Sequence, residues 1–221
     1  MTIRVLICDD HRIVREGIKQ ILAEASDLRV MGEAANGPEA IQQVRAGAAA
    51  GSGPDVVLLD IAMPQRDGLD ILKALRSEFP KLPVLMLSTY PDRQYAVRSL
   101  KLGAAGYLNK SADSEQMIDA VRTVARGRRF ITPSVAEHLA AAIGDGFAAD
   151  DTVPLHEVLS HREHQVFQML VAGRSVGEIA EQLVLSSNTV STYRARILEK
   201  TGVRNDVELT LFAVRRELLA P

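Results

Sequence analysis

The sequence predicts an α/β fold, a five-stranded parallel sheet wound with helices on both faces, followed by a separate all-helical domain. Three features predict it. Five short apolar runs alternate with helix-patterned segments over residues 1–127, the first of those segments repeats its apolar residues at three- and four-residue steps, and residues 157–221 carry four helix-start signals with no strand signal between them. Runs that are apolar throughout suit strands buried on both faces, as in a parallel sheet covered by helices.

The runs are IRVLIC (3–8), LRVMGE (28–33), DVVLLD (55–60), PVLMLS (83–88) and AGYLN (105–109). After the first, Ile13, Val14, Ile18, Ile21 and Leu22 follow the helical period and are expected on one inward face. AGAAAGSG (46–53) is small and flexible and reads as a surface loop between the second helix and the third strand. Repeated βα units of this kind make a flavodoxin-like, doubly wound sheet whose ligands sit outside the carboxyl ends of the strands. Next comes RRFITPSVAEHLAAAIGDGFAADDTVPL, whose middle can form a short helix while GDGFAADD has no apolar period, so 128–156 reads as a linker. In 157–221, Ser160 with Glu163 and Ser175 with Glu178 fit the S-x-x-E capping box, and Ser186 and Asn205 open two further helices.

Apolar residues make up 47% of the chain and charged residues 24%, the balance of a soluble globular protein. A lone cysteine, Cys8, lies inside the first strand and cannot form an intrachain disulfide, which suits a reducing compartment. No run approaches the ~20 apolar residues that cross a bilayer, and the apolar start of the chain meets two acids too soon for a signal peptide. A cytoplasmic location without a membrane partner is expected. Net charge is −2, and from residue 157 onward eight Lys/Arg face eight Asp/Glu, so any affinity for DNA must come from local placement of charge.

Chemistry is expected where the strands end. Asp9 and Asp10 follow the first strand and Asp60 closes the third, its neighbour in this topology. Three carboxylates brought together need a counter-ion, and Mg²⁺ favours a few carboxylates plus water. Ser88 ends the fourth strand and Lys110 follows the fifth, adding a hydroxyl and an ammonium. An acidic nucleophile, a metal site, a hydroxyl and a cation together suit phosphoryl transfer to a carboxylate.

The motifs DDH (9–11), LLDIAMPQRDG (58–68), LST (87–89) and GYLNK (106–110) resemble the receiver domain of two-component response regulators in order, spacing and strand context. The resemblance implies that Asp60 is the phosphoacceptor, that Asp10 ligates Mg²⁺ directly and Asp9 mainly through water, and that the Ala62 backbone carbonyl completes the protein ligands. It also implies that Ser88 and Lys110 contact the phosphoryl group and that Tyr107 moves into space vacated by Ser88. Ser111 follows Lys110 where many receivers have proline, a departure common in the subfamily that the rest of the chain resembles.

Residues 159–203 resemble the C-terminal helix-turn-helix of NarL/FixJ (LuxR-type) regulators. The variant TVSTYRARILEK resembles the BvgA and EvgA branch more than NarL itself, because Ser191 and Tyr193 replace the more usual lysine and histidine. On a helix from about 187 to 200, at roughly 100° per residue, Val190, Tyr193 and Ile197 share the core side. Asn188, Ser191, Thr192 and Ala195 lie opposite, where base edges would be read. Arg194 and Arg196 fall on the flanks, suited to phosphates, with Lys200 assisting from the end.

The expected function is therefore that of a response regulator and not an enzyme: a sensor histidine kinase donates the phosphoryl group, phosphorylation promotes a homodimer, and the dimer binds promoter DNA and engages RNA polymerase. Two other classes remain open. A haloacid-dehalogenase-like phosphatase also uses Mg²⁺ and an aspartyl nucleophile, but with D-x-D on the first strand, whereas Asp9 and Asp10 are adjacent. A receiver acting only through protein partners would suit the near-neutral C-terminal segment.

Overall fold

The computed structural model describes residues 2–63, 67–89, 92–144 and 159–215. The chain divides into two compact units, Met1–Asp150 and Asp151–Pro221.

The first unit runs β1 (Ile3–Cys8), α1 (Arg12–Ala23), β2 (Leu28–Ala34), α2 (Gly37–Ala49), β3 (Val56–Asp60), α3 (Gly68–Glu78), β4 (Val84–Ser88), α4 (Asp92–Lys101), β5 (Gly106–Asn109), α5 (Ser114–Ala125) and α6 (Pro133–Gly144). The strands are ordered β2-β1-β3-β4-β5 and every pairing is parallel. β3 is central and buried at all five positions. Alternate residues of each strand serve two cores, as the two-residue pleat requires. Leu6, Cys8, Val57, Leu59, Val84, Met86 and Tyr107 join apolar residues of α2, α3 and α4. Val5, Ile7, Val56, Leu58, Leu85, Leu87 and Leu108 join those of α1 and α5. Each Leu or Val so buried stabilises the unit by roughly 1.5–3 kcal/mol relative to exposure.

Three sequence expectations change. Ile13 is 87% exposed, although Val14, Ile18, Ile21 and Leu22 pack inward; the three- and four-residue steps join Val14, Ile18, Ile21 and Leu22 only, whereas five helical steps separate Ile13 from Ile18, about 140° around the axis. The flexible loop at 46–53 is half helix, because α2 continues through Ala49 on alanine-rich sequence. Gly47 lies inside that helix, and a Cβ on it would come within 2.6 Å of Gly53 Cα. The linker segment is also partly built into the first unit. The Phe130 amide donates to the Ala105 carbonyl at 2.9 Å, and Phe130 bridges Gly106 alongside β5. Val135 of α6 is buried in the same core as Tyr107, with Leu139 packed against it. The linker residues 145–156 lie outside the described residues.

The second unit consists of α7 (His161–Val171), α8 (Val176–Gln182), α9 (Ser187–Thr201) and α10 (Asp206–Arg215). Ser160 and Ser175 both form complete capping boxes with Glu163 and Glu178. Ser186 accepts from the Thr189 amide, and Asn205 from the Glu208 amide. Each cap satisfies a backbone donor that the helix start leaves unpaired. Their buried faces meet in one core, including Val166, Phe167, Ile179, Val190, Tyr193, Ile197 and Leu209.

Candidate functional site

Strand-end hydrogen bonds bring the acids together. The Asp9 amide donates to Ala34 O at 3.1 Å, the Ile61 amide to Leu87 O at 3.1 Å, and the Lys110 amide to Ser88 O at 2.7 Å; with Cys8 of β1 paired to Leu59 of β3, the ends of all five strands are tied in one row. Asp9, Asp60 and Ser88 are buried there. Gly68 is needed for the same reason of closeness: a Cβ on it would stand 2.1 Å from the carbonyl oxygen of Asp60. Its amide donates to Ile61 O at 3.0 Å, which fixes the start of α3 under the acidic residue.

Lys110 Nζ reaches Asp9 Oδ2 at 2.5 Å and Asp60 Oδ1 at 2.8 Å, with its side chain only 10% exposed. Burial alone would pull the Lys110 pKa down; the charges and hydrogen bonds of Asp60 and Asp9 outweigh it and leave it raised. Asp60 is raised chiefly by burial and further by the charge of Asp9, while Lys110 and the Ala62 amide act in the opposite direction. Asp9 is well satisfied, accepting from Lys110 on Oδ2 and from the His11 amide on Oδ1 at 2.8 Å. Neither oxygen of Asp60 accepts a well-aligned hydrogen bond, although both are buried. This carboxylate is left with spare acceptor capacity.

Asp9, Asp10, His11 and Asp60 offer ligand atoms within 4.8 Å of one another. One ammonium against three carboxylates leaves the cluster short of positive charge. The carboxylate oxygens, including the two of Asp60 that lack a well-aligned hydrogen bond, fit a hard divalent cation. His11 was no more than the third letter of a motif in the sequence; here its Nδ1 stands 3.0 Å from Asp10 Oδ1 at the exposed rim. A shallow depression of about 430 Å³ lined by Thr89, Asn109, Lys110 and Ser111 adjoins the strand ends. Tyr107, by contrast, is buried in the core beside Tyr95, Ala96 and Met86.

In the second unit, α9 divides as its period predicts. Val190, Tyr193 and Ile197 are buried, whereas Asn188, Ser191, Thr192, Ala195 and Arg196 are exposed. The Thr192 hydroxyl donates back to Asn188 O at 2.9 Å, so its methyl and lone pairs are what it presents outward. Two of the flanking cations carry ion pairs within the unit. Arg194 Nε pairs with Asp206 of α10 at 2.8 Å, and Lys200 pairs with Glu163 of α7 at 2.6 Å. Glu163 is 3% exposed and also receives the Ser160 amide at 2.7 Å, so one carboxylate joins the start of α7 to the end of α9. Among the described residues Arg196 has no ion-pair partner. The flank cations were assigned from helix geometry alone, which cannot reveal a carboxylate supplied by another helix.

Two comparisons with protein families agree with this geometry. The family described as "Response regulator receiver domain" matches residues 5–122, and that described as "Bacterial regulatory proteins, luxR family" matches residues 157–213. The response regulator GacA of Pseudomonas viridiflava is 38% identical over 98% of both chains. The response regulator UvrY of Escherichia coli K12 is 36% identical over 98% of this chain and 95% of that one. Among solved structures, the response regulator ChrA of a heme-sensing two-component system superposes with a TM-score of 0.52 at 32% identity, covering 99% of each chain. The RcsB response regulator of Salmonella typhimurium gives 0.58 at 25% identity over 97% of this chain and 99% of that one, and a further RcsB structure is a DNA complex. The chain belongs to the response regulators of two-component systems, combining a receiver domain with a LuxR-type DNA-binding domain that controls transcription.

Proposed function

We propose that Asp60 is the phosphoacceptor and that its phosphorylation switches dimerisation and promoter binding. The observation that carries this reading is the buried Asp60 carboxylate, short of hydrogen bonds, with Lys110 Nζ 2.8 Å away. One Asp60 oxygen attacks the phosphorus of a sensor kinase's phosphohistidine; the O–P bond forms as the P–N bond breaks, and the electron pair leaves with the imidazole nitrogen. Lys110 neutralises charge on the transferring group, and Ser88 offers its hydroxyl to a phosphoryl oxygen. Asp9, Asp10, Asp60 and the Ala62 carbonyl would hold Mg²⁺, which when bound offsets the charge of the acids and of the phosphoryl oxygens.

The phosphoryl group adds roughly −1.5 to −2 charges and three acceptor oxygens. Drawing Ser88 toward it frees room for Tyr107 and changes the face made by α4 and β5, selecting a state that the unmodified chain already samples. A homodimer of that state sets two copies of α9 roughly 34–36 Å apart, one turn of DNA. Asn188, Ser191, Thr192 and Ala195 read base edges, and Arg196 contacts a phosphate. Arg194 and Lys200 hold α9 in place through Asp206 and Glu163. The regulator works in the cytoplasm, engages RNA polymerase at the promoter, and takes up one phosphoryl group without turning over a substrate.

The test is Asp60→Asn. Phosphate-dependent gain in affinity for a selected duplex is expected in the parent and absent in the variant; a variant that still responds to acyl phosphate rejects Asp60 as the acceptor.

A further inference from the structure

Among the described residues, six helices end on the same pair of backbone hydrogen bonds around a left-handed residue. In five of them that residue is glycine: Gly51, Gly103, Gly127, Gly173 and Gly202. The sixth is Val184, after α8, at φ 53°, whose amide donates to Glu181 O at 3.3 Å while the Leu185 amide donates to Ala180 O at 2.8 Å. Val184 is also the one non-glycine residue with positive φ among the described residues. A β-branched side chain is strained in this conformation, because its Cβ crowds the following carbonyl. Burial could offset the strain, but Val184 is 90% exposed. Among the described residues of the second unit no burial compensates for placing valine where the other five positions hold glycine, and strain of this kind persists where an outside contact makes use of it.

Its position identifies that contact. Val184 lies two residues before Ser186, the N-cap of α9, and four before the exposed Asn188, where the proposed reading face begins. The start of a recognition helix is the part that enters the major groove. Valine has no hydrogen-bonding atom, so what it can touch there is apolar: a thymine 5-methyl group or the carbon face of a deoxyribose. The geometry points to Val184 as an apolar DNA contact at the entrance of α9, a determinant of affinity outside the helix itself. This inference rests on the DNA-binding reading given above.

The experiment uses the full-length chain treated with acetyl phosphate and a duplex that it selects from random DNA. Val184→Gly removes the side chain and the backbone strain together, and Val184→Asn keeps a residue that tolerates the left-handed conformation but is polar. Both variants are expected to melt at the same temperature as the parent or higher, by up to about 4 °C in the C-terminal transition. Their Kd for the duplex should nevertheless rise about five- to tenfold, with an unchanged dependence on salt because no phosphate contact is lost. Replacing individual thymines with deoxyuridine distinguishes the two apolar sources. If the methyl is the partner, one replacement weakens the parent by the same factor and leaves Val184→Gly unaffected; if deoxyribose is the partner, no replacement matters to either. A folded Val184→Gly that binds as tightly as the parent overturns this inference alone and directs the valine toward a protein partner. A parent that selects no duplex overturns the DNA-binding reading and this inference with it.

Discussion

The two units use charge in opposite ways. At the strand ends of the first, a buried ammonium stands 2.5 and 2.8 Å from two buried carboxylates; burial has raised the Asp60 pKa, and the two carboxylates have raised that of Lys110 against burial. On the second, Arg194 and Lys200 sit at the rim of α9 and are occupied by carboxylates of neighbouring helices, while the exposed face between them is small and mostly uncharged. Buried charge that is only partly compensated stores reactivity. Rim charge that is compensated stores geometry. The difference warns against counting basic residues along a helix as DNA contacts before their partners are known.

Removing the buried cation should have the largest effect. Lys110→Met leaves Asp9 and Asp60 facing each other without compensation and is expected to lower the stability of the first unit by about 3 kcal/mol, measured by urea unfolding in chelator, with part of the loss recovered in millimolar Mg²⁺. A loss below about 1 kcal/mol would place the cluster among ordinary solvated pairs and dissolve the contrast. In the second unit, Glu163→Gln keeps a side-chain acceptor for the Ser160 amide but breaks the ion pair to Lys200, and should cost about 1–2 kcal/mol in the C-terminal transition. A Lys200→Met background should absorb most of that loss, as expected of one shared interaction.

The cations themselves separate by salt. Arg196→Ala should reduce the slope of log Kd against log salt by about 0.9, one phosphate contact, whereas Arg194→Ala should weaken binding with the slope unchanged. Equal slopes in the two variants would mean that the Asp206 pair opens on DNA. The smallest effect lies far from both sites, at Arg4 and Asp55. The Arg4 hydrogen bond holds the Asp55 carboxyl below its ordinary 3.8 despite some burial. Stability from this pair is therefore complete above pH 3.8 and is lost as pH falls through the lower folded value. Because both side chains are about a third exposed, Asp55→Asn should remove only about 0.5 kcal/mol, seen as a flatter acid limb between pH 4 and 2 in the pH dependence of unfolding.

Much of the fold was legible because its signals are local. Five continuous apolar runs and four capping residues mark elements that formed within a residue or two of expectation, and motif order placed the acids at strand ends. Where legibility failed, a neighbour intervened. Met31 reads as an ordinary strand residue, yet β1 shifts register between Val5 and Leu6, pairing with Val30 and Gly32 and leaving Met31 as an outward bulge. The linker helix looks free until Val135 is found in the core with Tyr107. His11 joins the acidic cluster only because β1 and β3 lie side by side.

The sequence by itself determined the two-part architecture, the row of chemistry at the carboxyl ends of the strands, and the inward and outward faces of α9, since periodicity and capping act over three or four residues. Tertiary structure alone decided which charges are free. Arg194 meets Asp206 twelve positions away and Lys200 meets Glu163 thirty-seven away, and a long flexible side chain takes whichever carboxylate the packing of other helices brings within reach. The same holds for Lys110, whose partner Asp9 is 101 positions distant and becomes a partner only when the sheet sets five strand ends in one row.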